Sequence, residues 1–128
     1  MTQAEAARMS LVSGFVQSLQ EPKMPFISPK RFSAALGVQI ANLADLTGVH
    51  RNTLRNPSSE RLQNKMREMV KVISAAASLT GDISKAIYWF RNEPIADYDQ
   101  NTAAELVAAG HVEAVLSYLR DLENGARG

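Results

Sequence analysis

The sequence predicts an all-α protein built from two abutting helical units. In almost every segment the apolar residues recur at three- and four-residue spacing, which is the period of one helix face. Serine, threonine and proline stand where such segments begin, and glycine stands where several of them end. No segment shows the alternation of β-branched and polar residues that is typical of a strand. The chain has 128 residues, 45% of them hydrophobic, which is enough for an ordinary packed core.

The first helix is predicted by an amphipathic run near the N-terminus. Its apolar residues keep helical spacing: Ala4, Ala7, Leu11, Phe15 and Leu19. Pro22 and Pro25 then interrupt the chain and predict a loop. Ser28 followed by Pro29 predicts a second helix start, since serine caps the free amides and proline suits the first helical position. Gly37 ends that helix.

The middle of the chain predicts two short helices and one long one. A short helix spans about 39–46, a turn covers 47–49, and a second short helix runs from about His50 to Arg55. Pro57 to Ser59 opens a longer helix, which ends at Gly81. Its apolar face contains six residues: Leu62, Met66, Met69, Val70, Ile73 and Ala77.

The C-terminal part predicts three more helices. In the first of these helices, the apolar face runs from Ile83 to Phe90. Pro94 then begins a loop. Thr102 and Glu105 have the spacing of a capping box, which starts the next helix before Gly110. A last helix is predicted by core-spaced Val112, Val115, Leu116, Leu119 and Leu122, and residues 124–128 are expected to be loose. We therefore divide the chain into an N-terminal helix and linker (1–27), a middle unit (28–81) and a C-terminal unit (82–128).

The charges are distributed unevenly along the chain. The net charge is +1, but the range 30–71 holds eight basic and three acidic residues, a local charge of +5. The range 72–128 holds four basic and eight acidic residues, a local charge of −4. A basic middle and an acidic end predict two different partners. The alternative is that the charges simply fall unevenly on solvated faces.

The stretch from Leu43 to Leu54 has helix-turn-helix spacing. Ala44 is small where two helices cross, and Gly48 permits a left-handed turn four residues later. Val49 and Leu54 are expected to bury the second helix. The outward side chains suit base edges and phosphates, so they are our predicted DNA-binding residues: His50, Arg51, Asn52, Thr53, Arg55 and Asn56.

A purely structural turn is the alternative to DNA binding for this motif, because many helical proteins contain a tight helix-turn-helix. The local charge of +5 favours DNA, since attraction to phosphates requires a basic face. Pro57 soon after the second helix predicts that this helix has only about two turns.

Several classes of protein are excluded by what the sequence lacks. Cysteine is absent and the two histidines, His50 and His111, lie far apart, so no metal site is expected. No glycine-rich phosphate loop or HExxH motif is present, so we expect no cofactor, no catalytic residues and no enzyme. No run of about 18 apolar residues predicts a membrane span. Glu5 and Arg8 disrupt any signal-peptide pattern, so the cytoplasm is the expected compartment.

The segment after Gly81 carries a spaced pattern of apolar residues, proline, threonine and glycine. Its members are Ala86, Trp89, Phe90, Pro94, Thr102, Leu106, Gly110, Val115, Leu116, Leu119 and a Gly-Ala-Arg-Gly tail. The pattern resembles that of the Xre/MbcA/ParS antitoxin family. That family has an Ala-x2-Trp-Leu-x3-Pro opening, then Thr-Pro-x2-Leu, a glycine and Val-Leu-x2-Leu. With the helix-turn-helix before it, the resemblance extends from about Ser28 to the C-terminus and leaves the first helix uncovered.

The sequence departs from the family pattern at three places. Phe90 stands where leucine is usual, which is an apolar exchange. Ala103 replaces a proline at the first helical position and loses only a helix-start preference. Asp97 and Tyr98 stand where the family often has Leu-Gly, so the loop between Pro94 and Thr102 is not predicted by the resemblance.

The resemblance implies a protein partner, a RES-domain toxin that degrades NAD or transfers ADP-ribose from it. It implies that the C-terminal unit binds and neutralises the toxin while the antitoxin represses its own operon through operator DNA. The tail is then expected to reach the toxin's NAD pocket, and the predicted toxin-binding residues are Asn124, Gly125, Ala126, Arg127 and Gly128. The local charge of −4 suits the electropositive site that an anionic dinucleotide requires. Without the resemblance, Arg127 is an ordinary solvated terminal residue.

Two further expectations concern assembly and the alternative function. We expect a homodimer, because one short recognition helix offers little contact area and two-fold operators are the usual remedy. Either the stripe of Met66, Met69, Val70 and Ile73 or the first helix is the predicted interface. The alternative function is a stand-alone helix-turn-helix regulator whose C-terminal unit dimerises. Trp89 has two interpretations, a core residue or an interface residue. The first is favoured, since large aromatic residues usually lie in the core of a small domain.

Overall fold

A computed structural model describes residues 2–127 of the chain, except the side chains of residues 126 and 127. These residues form seven α-helices, three short 3-10 helices and no β-strand, which confirms the all-α prediction. The backbone also forms two isolated β-bridges, Gln20 with Ile27 and Ile95 with Asn101. Gly128, which we predicted to bind the toxin, lies outside the described residues.

The N-terminal part begins with α1 (Gln3–Leu19) and α2 (Pro29–Leu36). A capping box starts α1: the Thr2 hydroxyl accepts from the Glu5 amide while the Glu5 carboxylate accepts from the Thr2 amide. Ser28 caps α2 as its sequence position predicts, and its hydroxyl accepts from the Arg31 amide at 3.1 Å. The loop between the helices is closed where the Ser28 amide donates to the Leu19 carbonyl.

The middle part holds α3 (Leu43–Thr47) and the long α4 (Glu60–Thr80). The short helix predicted over 39–46 is divided into a 3-10 helix, Ile40–Asn42, and α3. The short helix predicted from about His50 to Arg55 is present as a 3-10 helix, Arg51–Arg55, which makes nearly two turns at about three residues per turn. The segment lies between Gly48 and Pro57, which leaves too few residues for a longer helix.

The C-terminal part comprises α5 (Ile83–Asn92), α6 (Ala103–Ala108) and α7 (Val112–Arg127), with a 3-10 helix at Ala96–Tyr98. The capping box of Thr102 and Glu105 is present, and α6 forms with Ala103 in place of proline. The prediction of a loose end from Asn124 was wrong, because α7 continues to Arg127.

The hydrophobic core surrounds α4, which contacts α1, α3, α5, α6 and α7. One continuous cluster of buried side chains includes Phe32 of α2, Met66 of α4, Phe90 of α5 and Val115 of α7. The core is therefore continuous across the boundary that the sequence predicts at Gly81. The apolar stripe of α4 lies in this core, because Met66, Met69 and Ile73 are fully buried.

No described helix is long and apolar enough to cross a membrane.

Candidate functional site

The segment with helix-turn-helix spacing, Leu43 to Leu54, is organised around Gly48. This glycine has a left-handed backbone (φ +77°), and its amide donates to the Ala44 carbonyl at 2.8 Å. Ala44 and Val49 are buried on the two sides of the turn, as the spacing predicts. Thr47 supports α3 from within, because its hydroxyl donates to the Leu43 carbonyl at 2.7 Å. The turn is thus tight and buried on one side.

Gly48 also lies directly against α6. A Cβ built on Gly48 would lie 3.0 Å from the carbonyl oxygen of Ala108, closer than most real Cβ contacts, so α6 would have to shift by a few tenths of an ångström. Glycine is favoured here for two separate reasons, its left-handed backbone angle and the close approach of α6. The sequence spacing predicts only the backbone angle and does not indicate the contact with α6. The segment predicted to bind DNA therefore rests on the C-terminal unit.

The second element of the motif is short and begins at His50. The Nδ1 atom of His50 accepts a hydrogen bond from the Asn52 amide at 3.1 Å, so the imidazole caps the 3-10 helix. Five residues of 3-10 helix extend only about 10 Å, since the rise is about 2 Å per residue. This length presents a short ridge to a partner rather than a long helical face.

Most of the predicted DNA-binding side chains lie on the outside of this ridge. Thr53 is half-buried beside the half-buried Leu54, so it is less accessible than its neighbours in the ridge. Asn56 accepts a hydrogen bond from the Ser58 hydroxyl at 3.0 Å in the turn before α4. The other five predicted residues besides Thr53 are exposed: His50, Arg51, Asn52, Arg55 and Asn56.

Two basic side chains of the +5 segment bind helix ends within the chain. Arg31 donates from Nη1 to the carbonyl oxygens of Ser18 (3.4 Å) and Gln20 (3.1 Å), at the C-terminal end of α1. Lys65 donates from Nζ to the Val107 carbonyl at 2.9 Å, at the end of α6. Cations are favourable at helix C-termini, where carbonyl groups lack partners. The charge sum along the sequence therefore overstates what is available to phosphates.

Arg91 of α5 likewise donates a hydrogen bond to the C-terminal end of α2. Its Nη1 donates to the Leu36 carbonyl at 2.8 Å, beside the left-handed Gly37 that ends the helix. Leu36 and Arg91 are 55 residues apart in sequence, so no local pattern could reveal this pairing. Lys65 and Arg91 together join the middle of the chain to its C-terminal part.

The loop between α5 and α6 is the part that the resemblance left unpredicted. Ile95 is buried, and its amide donates to the Asn101 carbonyl at 2.9 Å, which closes the loop at its base. At its tip Asp99 (φ +56°) and Gln100 (φ +64°) both have left-handed backbones, which is uncommon for residues with a Cβ. Tyr98 packs edge-on against Tyr118 of α7, with ring centroids 6.3 Å apart.

A cavity of about 350 Å³ lies beside this loop, between α6 and the start of α7. Asp99 and Glu105 bring two carboxylates to its lining, and His111 and Tyr98 are also part of it. The carboxylate of Glu105 already accepts from the Thr102 amide at 2.9 Å. An exposed acidic rim of this kind suits a basic side chain of another protein.

An apolar groove of about 280 Å³ lies between the ends of α4, α5 and α7. Trp89 and Leu119 form part of it, together with Leu122, which is 47% exposed. Trp89 is half-buried against the core, so it packs both into the protein and toward the surface.

The predicted toxin-binding residues from Asn124 to Arg127 form the C-terminal end of α7. Asn124 and Gly125 are exposed and belong to the helix. A Cβ on Gly125 would meet nothing within 4 Å. The backbone of Ala126 and Arg127 completes α7, but their side chains lie outside the described part of the chain.

Comparisons with protein-family models, curated proteins and solved structures find no match to this chain.

Proposed function

We propose that this chain is the antitoxin of a toxin–antitoxin pair, and that α5–α7 bind a RES-domain toxin. The observation that carries the proposal is that the residues resembling the Xre/MbcA/ParS pattern belong to one helical module. Ala86, Phe90, Val115 and Leu119 are buried in the core that α5 and α7 share with α4, and Gly110 makes a left-handed turn between α6 and α7. A spaced pattern whose members hold one module together is more specific than the same residues scattered over a chain.

The surface chemistry of the module supports the same partner. The range 72–128 has a local charge of −4, and the acidic cavity of Asp99 and Glu105 opens on it. A toxin that consumes NAD needs an electropositive site for the pyrophosphate, so the two surfaces would attract each other. The groove beside Leu122 adds apolar area, which such interfaces use for affinity.

The proposal includes repression of the antitoxin's own operon through the ridge Arg51–Arg55. The two arginines of the ridge are exposed, and neither is used in a helix cap among the described hydrogen bonds. A five-residue ridge contacts few base pairs, so operator binding would depend on pairing of two copies.

Co-expression with a RES-domain toxin encoded next to this chain tests the proposal. The antitoxin should restore growth, and the two proteins should elute together from a size-exclusion column. A charge-reversed Asp99→Lys variant should weaken this complex, whereas Glu21→Lys, a reversal in the α1–α2 loop, should not. Growth arrest that persists, together with separate elution, would contradict toxin binding. DNA binding with no toxin binding would instead favour the stand-alone regulator.

A further inference from the structure

Within the described part of the chain, the N-terminal half of α1 is exposed on all its faces. Every residue from Thr2 to Ser10 is exposed, and the buried residues of this helix are Phe15 and Leu19 in its C-terminal half. Helices of this length are marginal in water unless one face is packed. The half that projects from the core therefore has a face free for another molecule.

One flank of α1 carries a stripe that runs along both halves. Four of its members follow a spacing of four, three and four residues, which keeps them on one side of the helix: Glu5, Met9, Val12 and Val16. Gln20, the residue that caps the C-terminal end of α1, extends the stripe beyond the helix. Met9 is 59% exposed and Val16 is 37% exposed. Val12 is half-buried at the edge of the core. The stripe is thus apolar in its centre and polar at its two ends.

The C-terminal half of the stripe forms one wall of a groove of about 310 Å³. Val16 lines the groove from α1 and Val70 lines it from α4. Gln20 and Phe26 line it from the α1–α2 loop. The loop is held by Gln63, whose side-chain amide donates to the Ile27 carbonyl at 2.8 Å and accepts from the Ile27 amide at 2.9 Å. The groove is therefore preformed.

The far wall of the groove is basic. Arg67 and Lys71 of α4 line it and are exposed. Ser74, one turn further along α4, also lines the groove, and its buried Oγ has no hydrogen-bond partner. An occupant of this groove should carry apolar side chains and an acid at one end.

We propose that the occupant is α1 of a second copy of this chain, lying antiparallel to the first. The stripe is complementary to itself about a two-fold axis near Val12 and Ser13. In that register Met9 of one copy lies opposite Val16 of the other, and Glu5 lies opposite Gln20. The same contact is made twice, as a two-fold interface requires.

Charge complementarity selects this occupant. Glu5 is the only acid of α1, and the antiparallel register brings it to the end of the groove that Arg67 and Lys71 line. A parallel arrangement would instead set like charges opposite each other, Glu5 against Glu5. In the other predicted interface, the stripe of α4, Met66, Met69 and Ile73 are fully buried, and Val70 is the member that lines the groove. The proposal does not depend on toxin binding.

Light scattering on the full-length chain at micromolar concentration tests the association. The unchanged protein should be a dimer and Met9→Glu a monomer, because the new carboxylate would be buried against Val16. Ser10→Glu is the matched control, since Ser10 is exposed on another side of α1, and it should remain dimeric. Glu5→Gln keeps the capping box but removes the charge, so association should weaken about five-fold and lose part of its salt dependence. Circular dichroism should show that every variant is folded, with at most the N-terminal turns of α1 lost in the monomer, because that half would then be unpacked.

Cysteine crosslinking tests the register, because the chain has no cysteine of its own. The double variant Met9→Cys with Val16→Cys should form a disulfide-linked dimer under mild oxidation. Met9→Cys alone should crosslink poorly, since the two copies of residue 9 would be about 10 Å apart along the helices. A monomeric unchanged protein would overturn the proposal and leave the groove to another partner. A dimer that survives Met9→Glu, or that gives no crosslink in the double variant, would also overturn it.

Discussion

Lys65 Nζ and the Val107 carbonyl oxygen are 2.9 Å apart, and this hydrogen bond joins α4 to the last turn of α6. The same ammonium lies 3.1 Å from a Glu68 carboxylate oxygen. Only 18% of the Lys65 side chain is exposed. Its charge is therefore committed to the joint between the middle and C-terminal parts of the chain, and it contributes little to a DNA-binding face.

Lys65→Met should lower the free energy of unfolding by about 1.5–3 kcal/mol, because the hydrogen bond to the Val107 carbonyl is lost. Methionine keeps most of the apolar stem, so the loss reports the ammonium rather than the packing. Urea unfolding at one fixed protein concentration measures the difference. Lys30→Met, an exposed lysine at the start of α2, should change stability by less than about 0.5 kcal/mol. Equal stability of the Lys65 variant and the unchanged protein would show that water satisfies the carbonyl.

Gly48→Ala should destabilise the fold by about 1–3 kcal/mol. The new Cβ would occupy a left-handed backbone position and would approach the Ala108 oxygen to 3.0 Å. Gly14→Ala gives a matched control with the opposite sign, since Gly14 is within α1 and its Cβ would meet nothing within 4 Å. That substitution should stabilise the chain by about 0.5–1 kcal/mol. Thermal unfolding of both variants should therefore give shifts in opposite directions.

The helix boundaries could be predicted because they depend on local chemistry. Ser28 and Thr102 supply capping oxygens, and Gly48 permits a left-handed turn, so each signal is contained within a few residues. The 3-10 geometry after His50 was missed, since helix spacing over five residues does not distinguish the two helix types. The helical end at Arg127 was missed because glycine near a terminus suggested fraying.

The contacts between distant segments could not be predicted from one sequence. Arg91 and Leu36 are brought together only by the packing of α5 near the end of α2. Lys65 was counted as part of a basic face, and nothing near it in sequence indicates the Val107 carbonyl as its acceptor. Such pairings depend on tertiary structure, so a local charge sum describes the number of cations and not their availability.

Arg51→Ala should weaken operator binding by about 1–3 kcal/mol and relax specificity at one base pair, while Arg55→Ala should weaken binding to all sequences about equally. The first follows from base-edge contact and the second from phosphate contact. Fluorescence anisotropy with DNA from the chain's own promoter, at moderate salt, measures both. Arg120→Ala, an exposed arginine on α7, should leave affinity unchanged. Unchanged affinity in both ridge variants would rule out the ridge as the DNA contact.

Removal of residues 124–128 should leave the toxin complex intact and restore NAD consumption, with Arg127→Ala restoring part of it. The helix faces of α5–α7 would set affinity, whereas the end of α7 would occupy the NAD pocket. Because α7 continues to Arg127, we expect the end to enter as a helix. Gly125→Ala should then inhibit as well as the unchanged chain, since its Cβ has open space and alanine favours the helix. Toxin binding by size-exclusion chromatography and NAD turnover, measured on the same samples, separate the outcomes. Full inhibition by the truncated chain would mean that the antitoxin inhibits by covering the entrance of the NAD pocket. Loss of the complex would mean that residues 124–128 are needed for binding rather than for blocking the pocket.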